Sequence, residues 1–148
     1  MADKLYHVTA VKGNTATVNV RARNHSIVID EPVEQGGTDM GMNPVELLLS
    51  SVASCLTLTI SIYAEAMGTK AENIDVQVDG VLDSAGMKGS RKARPGFKSM
   101  KVTIHAKTDA EPDVFQQVID LALLRCPVED SVSKGVPFEE PEVYIEKI

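Results

Sequence analysis

The sequence predicts an α+β fold, in which strands are grouped along the chain instead of alternating with helices. Two observations carry this prediction. Apolar and polar side chains alternate through most of the first thirty residues, and an uncharged stretch of eighteen residues, 47–64, follows that is far too long for a strand. The 148 residues, 43% hydrophobic and 24% charged, suit one compact domain spanning 1–148.

Three short strands are predicted before residue 31. The alternating segments contain Tyr6, Val8 and Ala10, then Thr15 to Ala22, then Ile27, Val28 and Ile29. Polar turn segments, Lys12-Gly13-Asn14 and Arg23-Asn24-His25, separate them. An antiparallel meander is the simplest arrangement of strands joined so closely.

A long helix is predicted after a glycine- and proline-rich loop at 31–41. Asn43 suits the N-cap and Pro44 the first helical position, while Gly68 ends the helix after about Met67. Its uncharged part reaches the lower length limit of a membrane span. Six hydroxyl side chains within it, and the flanking Glu46 and Glu65, argue against a span. We expect protein to bury this helix on most sides, with a partner subunit covering part of it.

The second half of the chain is predicted to contain two strands, two helices and a final edge strand. The strands cover 74–82 and 97–107, one helix follows Pro112 and ends near Leu124, and a short helix opens at Cys126-Pro127 and ends at Gly135. The edge strand contains Pro137, Phe138 and Val143-Tyr144-Ile145.

Charge and cysteine content narrow the classes of function. Acidic residues outnumber basic ones by 21 to 15, a net charge of −6, which disfavours nucleic acid as a partner. No apolar run follows the N-terminus, so we expect no secretory signal, no membrane attachment and a cytoplasmic protein. The two cysteines have neither scaffold nor metal-site spacing. A basic segment, 88–98, is either a solvated loop or a docking surface for an acidic partner.

Cys55 and Cys126 are the candidate reactive groups. Cys55 lies in the middle of the long helix among small residues, where it is either a core side chain or a thiol beside a small pocket. Cys126 precedes Pro127 at a helix start, where free N–H groups and the helix dipole are expected to lower the thiol pKa. Two such thiols can run a cycle of sulfenic acid formation, disulfide formation and reduction.

Two segments resemble the signature of the OsmC/Ohr family of hydroperoxide reductases. They are Met42-Asn43-Pro44-Val45-Glu46-Leu47-Leu48-Leu49 through Ala53-Ser54-Cys55, and Arg125-Cys126-Pro127-Val128. The resemblance implies an OsmC-like fold with antiparallel sheets around a long central helix, in an intertwined homodimer. It also implies that Cys55 attacks organic hydroperoxides and Cys126 resolves the sulfenic acid. The implied reductant is a lipoyl protein or a thioredoxin-like dithiol, with no metal or organic cofactor.

One position departs from the family pattern. Peroxidases of the family carry a glutamate directly after Asn-Pro, where it holds an arginine against the thiolate, and this chain has Val45 there and Glu46 next. Glu46 is therefore a candidate catalytic residue or simply a first-turn helix acid. Arg21 and Arg23 are candidates for the arginine, and, as strand residues two apart, they would share one face. Surface charge is the alternative for both.

Two functions remain open from the sequence. One is a thiol-dependent peroxidase acting in oxidative-stress defence. The other is a non-enzymatic module of the same fold that binds an apolar small molecule or senses oxidants, which the departure at Val45 favours.

Overall fold

The computed structural model describes residues 3–146 and has an α+β architecture with two antiparallel sheets and one long helix. The elements, in chain order, are β1 (Thr9–Lys12), β2 (Val18–Ala22), β3 (His25–Ile29), a 3₁₀ turn (Val33–Gln35), α1 (Pro44–Ala66), β4 (Ala71–Leu82), α2 (Ser84–Met87), β5 (Phe97–Thr108), α3 (Pro112–Arg125) and α4 (Pro127–Lys134). The predicted fold class is confirmed.

The first sheet is the meander that the alternating N-terminal segments predict. Its strand order is β1-β2-β3, with Val20 opposite both Ala10 and Ile27. The first strand begins at Thr9, so Tyr6 and Val8 precede it. The turn between β2 and β3 contains Arg23, whose backbone has a φ of 54°. Arg23 is thus a turn residue, and the expectation that it shares a strand face with Arg21 is wrong.

The long helix, α1, begins and ends where capping chemistry predicts. Asn43 precedes Pro44, and the Asn43 Oδ1 atom accepts a hydrogen bond from the Glu46 N–H at 2.9 Å. At the other end, Gly68 adopts a φ of 73°, which glycine reaches without steric cost, and its N–H donates to the Glu65 carbonyl.

The second sheet is a two-stranded antiparallel hairpin of β4 and β5 with a clear inner and outer face. Val76 lies opposite Ile104 and Val78 opposite Val102. Val76 and Ile104 pack against a fully buried cluster on α1 and α3, which consists of Ile60, Ala64, Val118 and Ala122. Val78 and Val102 pack against a second cluster that contains Val52 and Leu56 of α1. The alternate positions, Asp75, Gln77 and Asp79 among them, are exposed. One polar and one apolar face is the usual state of an antiparallel sheet.

The chain divides into two compact units, and the division falls inside α1 after Ser51. The first unit holds the meander, and the second holds the hairpin, α3, α4 and the remainder of α1. A single domain over 1–148 stays a prediction.

Two expectations for the second unit need correction. The segment between β4 and β5 was expected to be a loop without helix or strand, but it contains a short helix, α2. The predicted C-terminal edge strand is wrong, since residues 135–146 form neither helix nor strand. Phe138 and Tyr144 are 99% and 88% exposed. An isolated strand cannot satisfy its backbone hydrogen bonds, and no described strand pairs with this segment.

Helix α1 is long and apolar enough to cross a membrane by length and composition alone, with a mean hydropathy of 1.8 over its most apolar window. A core helix of a soluble protein meets the same criterion. In this structure Val52, Leu56 and Ile60 of the helix are buried by protein. The expectation of no membrane attachment stays a prediction.

Candidate active site at Cys55 and Cys126

Cys126 lies at the junction of two helices. It follows Arg125, the last residue of α3, and serves as the N-cap of α4, with Pro127 at the first helical position. Its sulfur accepts a hydrogen bond from the Glu129 N–H at 3.4 Å. The side chain is 0% exposed and packs in a cluster with Val52 and Leu56 of α1. The predicted N-cap position is confirmed.

Cys55 lies in α1 and is only partly buried. It packs against the same cluster, and so do three side chains of the hairpin, Val76, Val78 and Val102. Both cysteines are free thiols. Cys55 and the hairpin side chains thus share one apolar cluster with Cys126.

The two sulfur atoms are 3.0 Å apart, with the Cys126 thiol donating toward Cys55 Sγ. Seventy-one positions separate these residues in the chain. A disulfide bond is about 2.05 Å long, so the sulfurs need to approach by roughly 1 Å to form one. The tertiary structure thus brings together the two cysteines singled out from sequence.

The Cys126 pKa is raised above its ordinary value, contrary to the expectation from its helix-start position. Burial is the main cause, because a thiolate loses its hydration there. The hydrogen bond to Cys55 and repulsion by the Cys55 sulfur also raise the pKa. The N–H groups of Glu129 and Val128 lower it, but these effects are smaller than burial. Cys126 is therefore a protonated thiol at neutral pH.

Cys55 lies at the edge of an exposed apolar face of α1. At about 100° per residue, Cys55, Ile62 and Leu58 fall within an arc of roughly 60°, with Cys55 at one end of it. Leu58 and Ile62 are 65% and 60% exposed in the single chain. The thiol thus borders both a buried cluster on one side and an uncovered apolar surface on the other.

Glu46 takes part in the helix cap. Its carboxylate Oε2 atom accepts a hydrogen bond from the Asn43 N–H at 2.9 Å, while Asn43 caps the Glu46 N–H in return. This reciprocal pair is a capping box. The spacing Asn-x-x-Glu at a helix start is its sequence signal, and the sequence analysis did not use it. These contacts are those of a first-turn helix acid, and a catalytic role for Glu46 stays a prediction.

Arg21 and Arg23 are both exposed in the first unit. Within residues 3–146 neither side chain forms an ion pair or hydrogen bond, so neither is held by Glu46. Their proposed role beside Cys55 stays a prediction.

Asp30 is a structural carboxylate that sequence analysis missed. It is 1% exposed, at the end of β3, and it orders the following loop. Its oxygens accept hydrogen bonds from the Thr38 hydroxyl and from the N–H groups of Glu31, Thr38 and Met40. The Thr38 hydroxyl is the main reason that the pKa of Asp30 lies below its ordinary value. An Asp directly after an alternating strand and before a Gly-rich loop is the only sequence signal.

No metal centre is formed by the described part of the chain, where no three His, Cys, Asp or Glu side chains are grouped as ligands would be.

The fold and the site together define an α+β protein with antiparallel sheets, one long helix and a close pair of free cysteines. The family model described as OsmC-like protein matches residues 36–140, which include both cysteines. The chain belongs to the OsmC-like family.

Named relatives and solved structures agree with this family over most of the chain. The hydroperoxide reductase of Mycoplasma genitalium is 24% identical over 136 residues, 88% of each protein. An OsmC-like protein from Mycoplasma pneumoniae has a TM-score of 0.78 at 20% identity and covers 89% of both chains. The organic hydroperoxide resistance protein OhrB of Bacillus subtilis has a TM-score of 0.57 at 22% identity, covering 87% of this chain and 90% of that one. Each structural likeness supports the fold.

Proposed function

We propose that this chain is a thiol-dependent peroxidase that reduces organic hydroperoxides through Cys55 and Cys126, in defence against oxidative stress. The observation that carries the proposal is the 3.0 Å separation of the two sulfurs. Relatives named for hydroperoxide reduction and hydroperoxide resistance supply the substrate class.

Exposure supports different roles for the two thiols. Cys55 is partly exposed, so a peroxide can reach it, whereas Cys126 is 0% exposed. Cys55 is therefore the attacking residue, and Cys126 resolves the sulfenic acid from the buried position.

The first step oxidises Cys55. Its thiolate attacks the terminal oxygen of the hydroperoxide, the O–O bond breaks, and the alkoxide leaves and takes up a proton to become an alcohol. Cys55 becomes a sulfenic acid. An apolar organic peroxide is favoured because the exposed side chains of Leu58 and Ile62 lie on the same side of α1 as Cys55, C-terminal to it.

The second step forms the disulfide. Cys126 loses its proton and attacks the Cys55 sulfur, an S–S bond forms, and hydroxide leaves and is protonated to water. Because both cysteines belong to one chain and their sulfurs are close, this capture is fast compared with a second oxidation of Cys55. A dithiol reductant, a lipoyl protein or a thioredoxin-like protein, then reduces the disulfide by exchange.

A homodimer completes the proposal. Leu58 and Ile62 leave an apolar stripe of α1 uncovered in the single chain, and soluble proteins seldom expose such contiguous surface. A second copy on this stripe would enclose the site beside Cys55. A cytoplasmic location, with no nucleic acid or membrane partner, belongs to the same proposal.

The test is peroxide consumption by the reduced protein with dithiothreitol as reductant. We expect multiple turnovers with cumene hydroperoxide and slower turnover with hydrogen peroxide; without dithiothreitol, the reduced protein should lose two thiols per chain. Cys55→Ser should consume no peroxide. Cys126→Ser, its matched control, should consume one equivalent in the absence of dithiothreitol and form no internal disulfide. Full peroxide consumption by Cys55→Ser would refute the proposal.

A non-enzymatic module is the second candidate, and the capping contact of Glu46 favours it. A carboxylate held by the Asn43 N–H is less available to position an arginine beside the thiol. This candidate predicts a folded dimer that retains its thiols for hours in cumene hydroperoxide and binds an apolar ligand beside Cys55.

A further inference from the structure

Positive charge is concentrated in one loop at the tip of the hairpin. The basic loop, residues 83–98, contains five basic residues and one acidic residue, a net charge of +4. Because the whole chain has a net charge of −6, the residues outside the loop together have a net charge of −10. Its basic residues are Lys88, Arg91, Lys92, Arg94 and Lys98. The proposed chemistry at Cys55 and Cys126 does not use this charge.

The loop has a defined shape. Asp83 caps α2 by accepting a hydrogen bond from the Ala85 N–H at 3.0 Å, and its other oxygen pairs with Lys98 Nζ at 2.8 Å, which closes the base of the loop. Gly86 packs directly on the backbone of Arg94, where a Cβ atom would lie 2.2 Å from the Arg94 carbonyl oxygen. The shape of the loop therefore depends on this close backbone contact, because a side chain at Gly86 would force the two segments apart.

Three cations of the basic loop have no side-chain partner among residues 3–146. Lys88, Arg91 and Lys92 are exposed, and none of their side chains forms a hydrogen bond or an ion pair with the described residues. Arg94 is different, since its guanidinium lies over Gly96. The three unpaired cations are available to an anionic surface.

The basic loop lies close to the cysteine pair. Val78 belongs to the cluster that holds Cys126, and β4 runs from Val78 to Leu82, where the loop begins. Four residues of strand span about 13 Å. A docked protein covers roughly 800 Å² of its partner, a patch about 30 Å across, so one docked protein can reach both features.

We propose that the basic loop docks an acidic dithiol protein, the electron donor that reduces the Cys55–Cys126 disulfide. The inference rests on the proposed function. One donor thiolate attacks the disulfide sulfur of Cys55, the more exposed of the two, and Cys126 leaves and takes up a proton. The second donor thiol then displaces Cys55. Two electrons and two protons reach the cysteines, and the donor becomes a disulfide.

A compact acidic protein fits the charge pattern better than a long polyanion. Electrostatic attraction to the loop extends over about 8 Å at physiological salt. A nucleic acid or an anionic membrane would extend past this range. The net charge of −10 on the residues outside the loop would then repel it. A small domain with one acidic patch contacts the loop alone.

The test compares three variants of the intact protein in peroxide turnover. Lys88→Gln/Arg91→Gln/Lys92→Gln removes three charges from the loop. Lys70→Gln/Lys101→Gln/Lys107→Gln, the matched control, removes three charges from exposed positions outside the loop. Lys88→Arg/Arg91→Lys/Lys92→Arg keeps every charge. An acidic, reduced lipoyl domain is the donor in one series and dithiothreitol in the other.

We expect the loop-neutral variant to raise the KM for the lipoyl domain about tenfold at low salt, equivalent to about 1.4 kcal/mol. The charge-keeping variant and the matched control should stay within twofold of the parent, and high salt should remove the difference. Turnover with dithiothreitol should be the same in all of them.

Three results would overturn the inference. The first is equal KM values for the loop-neutral variant and its matched control, with normal dithiothreitol turnover. The second is an impaired charge-keeping variant, which would mean that shape and not charge matters. The third is a weaker dimer of the loop-neutral variant in sedimentation, which would make the loop a subunit contact. Failure of the parent protein to turn over with dithiothreitol would instead refute the proposed function itself.

Discussion

The rate at which Cys126 captures the oxidised Cys55 should rise steeply with pH. The attacking species is the thiolate, and burial raises the pKa of Cys126 above its ordinary value of 9.0. A thiol with a pKa of 9 is about 1% ionised at pH 7, and Cys126 is ionised less than that. Between pH 7 and 8 the thiolate fraction rises about tenfold, so disulfide formation should accelerate about tenfold over this range.

The assay is a single turnover with one equivalent of cumene hydroperoxide. Peroxide loss reports the first step, and quenching with a sulfenic acid trap, followed by mass spectrometry, reports disulfide formation separately. Cys126→Ser should accumulate trapped Cys55 at every pH, which fixes the assignment. A capture rate that levels off below pH 8 would refute the reasoning, because the attacking thiol would then ionise more easily than a buried Cys126 can.

Three further predictions concern stability and assembly. Leu56→Ala should lower the free energy of unfolding by about 2–5 kcal/mol in urea denaturation, because Leu56 is 0% exposed. Leu58→Ala, at a 65% exposed position, should change this free energy little but weaken the dimer in sedimentation. Equal losses of unfolding free energy in the two variants would contradict the burial argument. Asn43→Ala should cost about 1 kcal/mol in thermal unfolding through loss of the cap, and an unchanged Tm would remove that role. Asp30→Asn should lower the urea midpoint more at pH 7 than at pH 3, because the folded-state pKa of Asp30 is lowered. Its stabilisation is therefore fully present above the unfolded value near 3.8 and is lost as pH falls through the folded value.

Local chemistry made the helices and the first sheet predictable. The N-cap of α1 at Asn43 and its end at Gly68 follow from residue types that satisfy free backbone groups, and both were found where expected. The short helix after Cys126 follows from Pro127 in the same way. Such signals act over three or four residues, so a single sequence contains them in full.

Elements that depend on distant partners were predicted less well. The segment containing Val143–Ile145 has the β-branched and aromatic residues typical of a strand but forms none, because a strand requires a neighbour and the described chain provides none there. Arg23 was predicted to lie in the turn Arg23-Asn24-His25 and was also treated as a strand residue on the same face as Arg21; it lies in the two-residue turn.

The sequence by itself determined the fold class, the position of the long helix and the identity of the two candidate thiols. Only the tertiary structure decided that Cys55 and Cys126 lie 3.0 Å apart and that the Cys126 pKa is raised. The physical reason is that helix caps and alternation are short-range, whereas burial is the sum of contacts from α1, the hairpin and α4. The helix dipole at Cys126 can be foreseen from Pro127, but the loss of water that outweighs it exists only in the packed core.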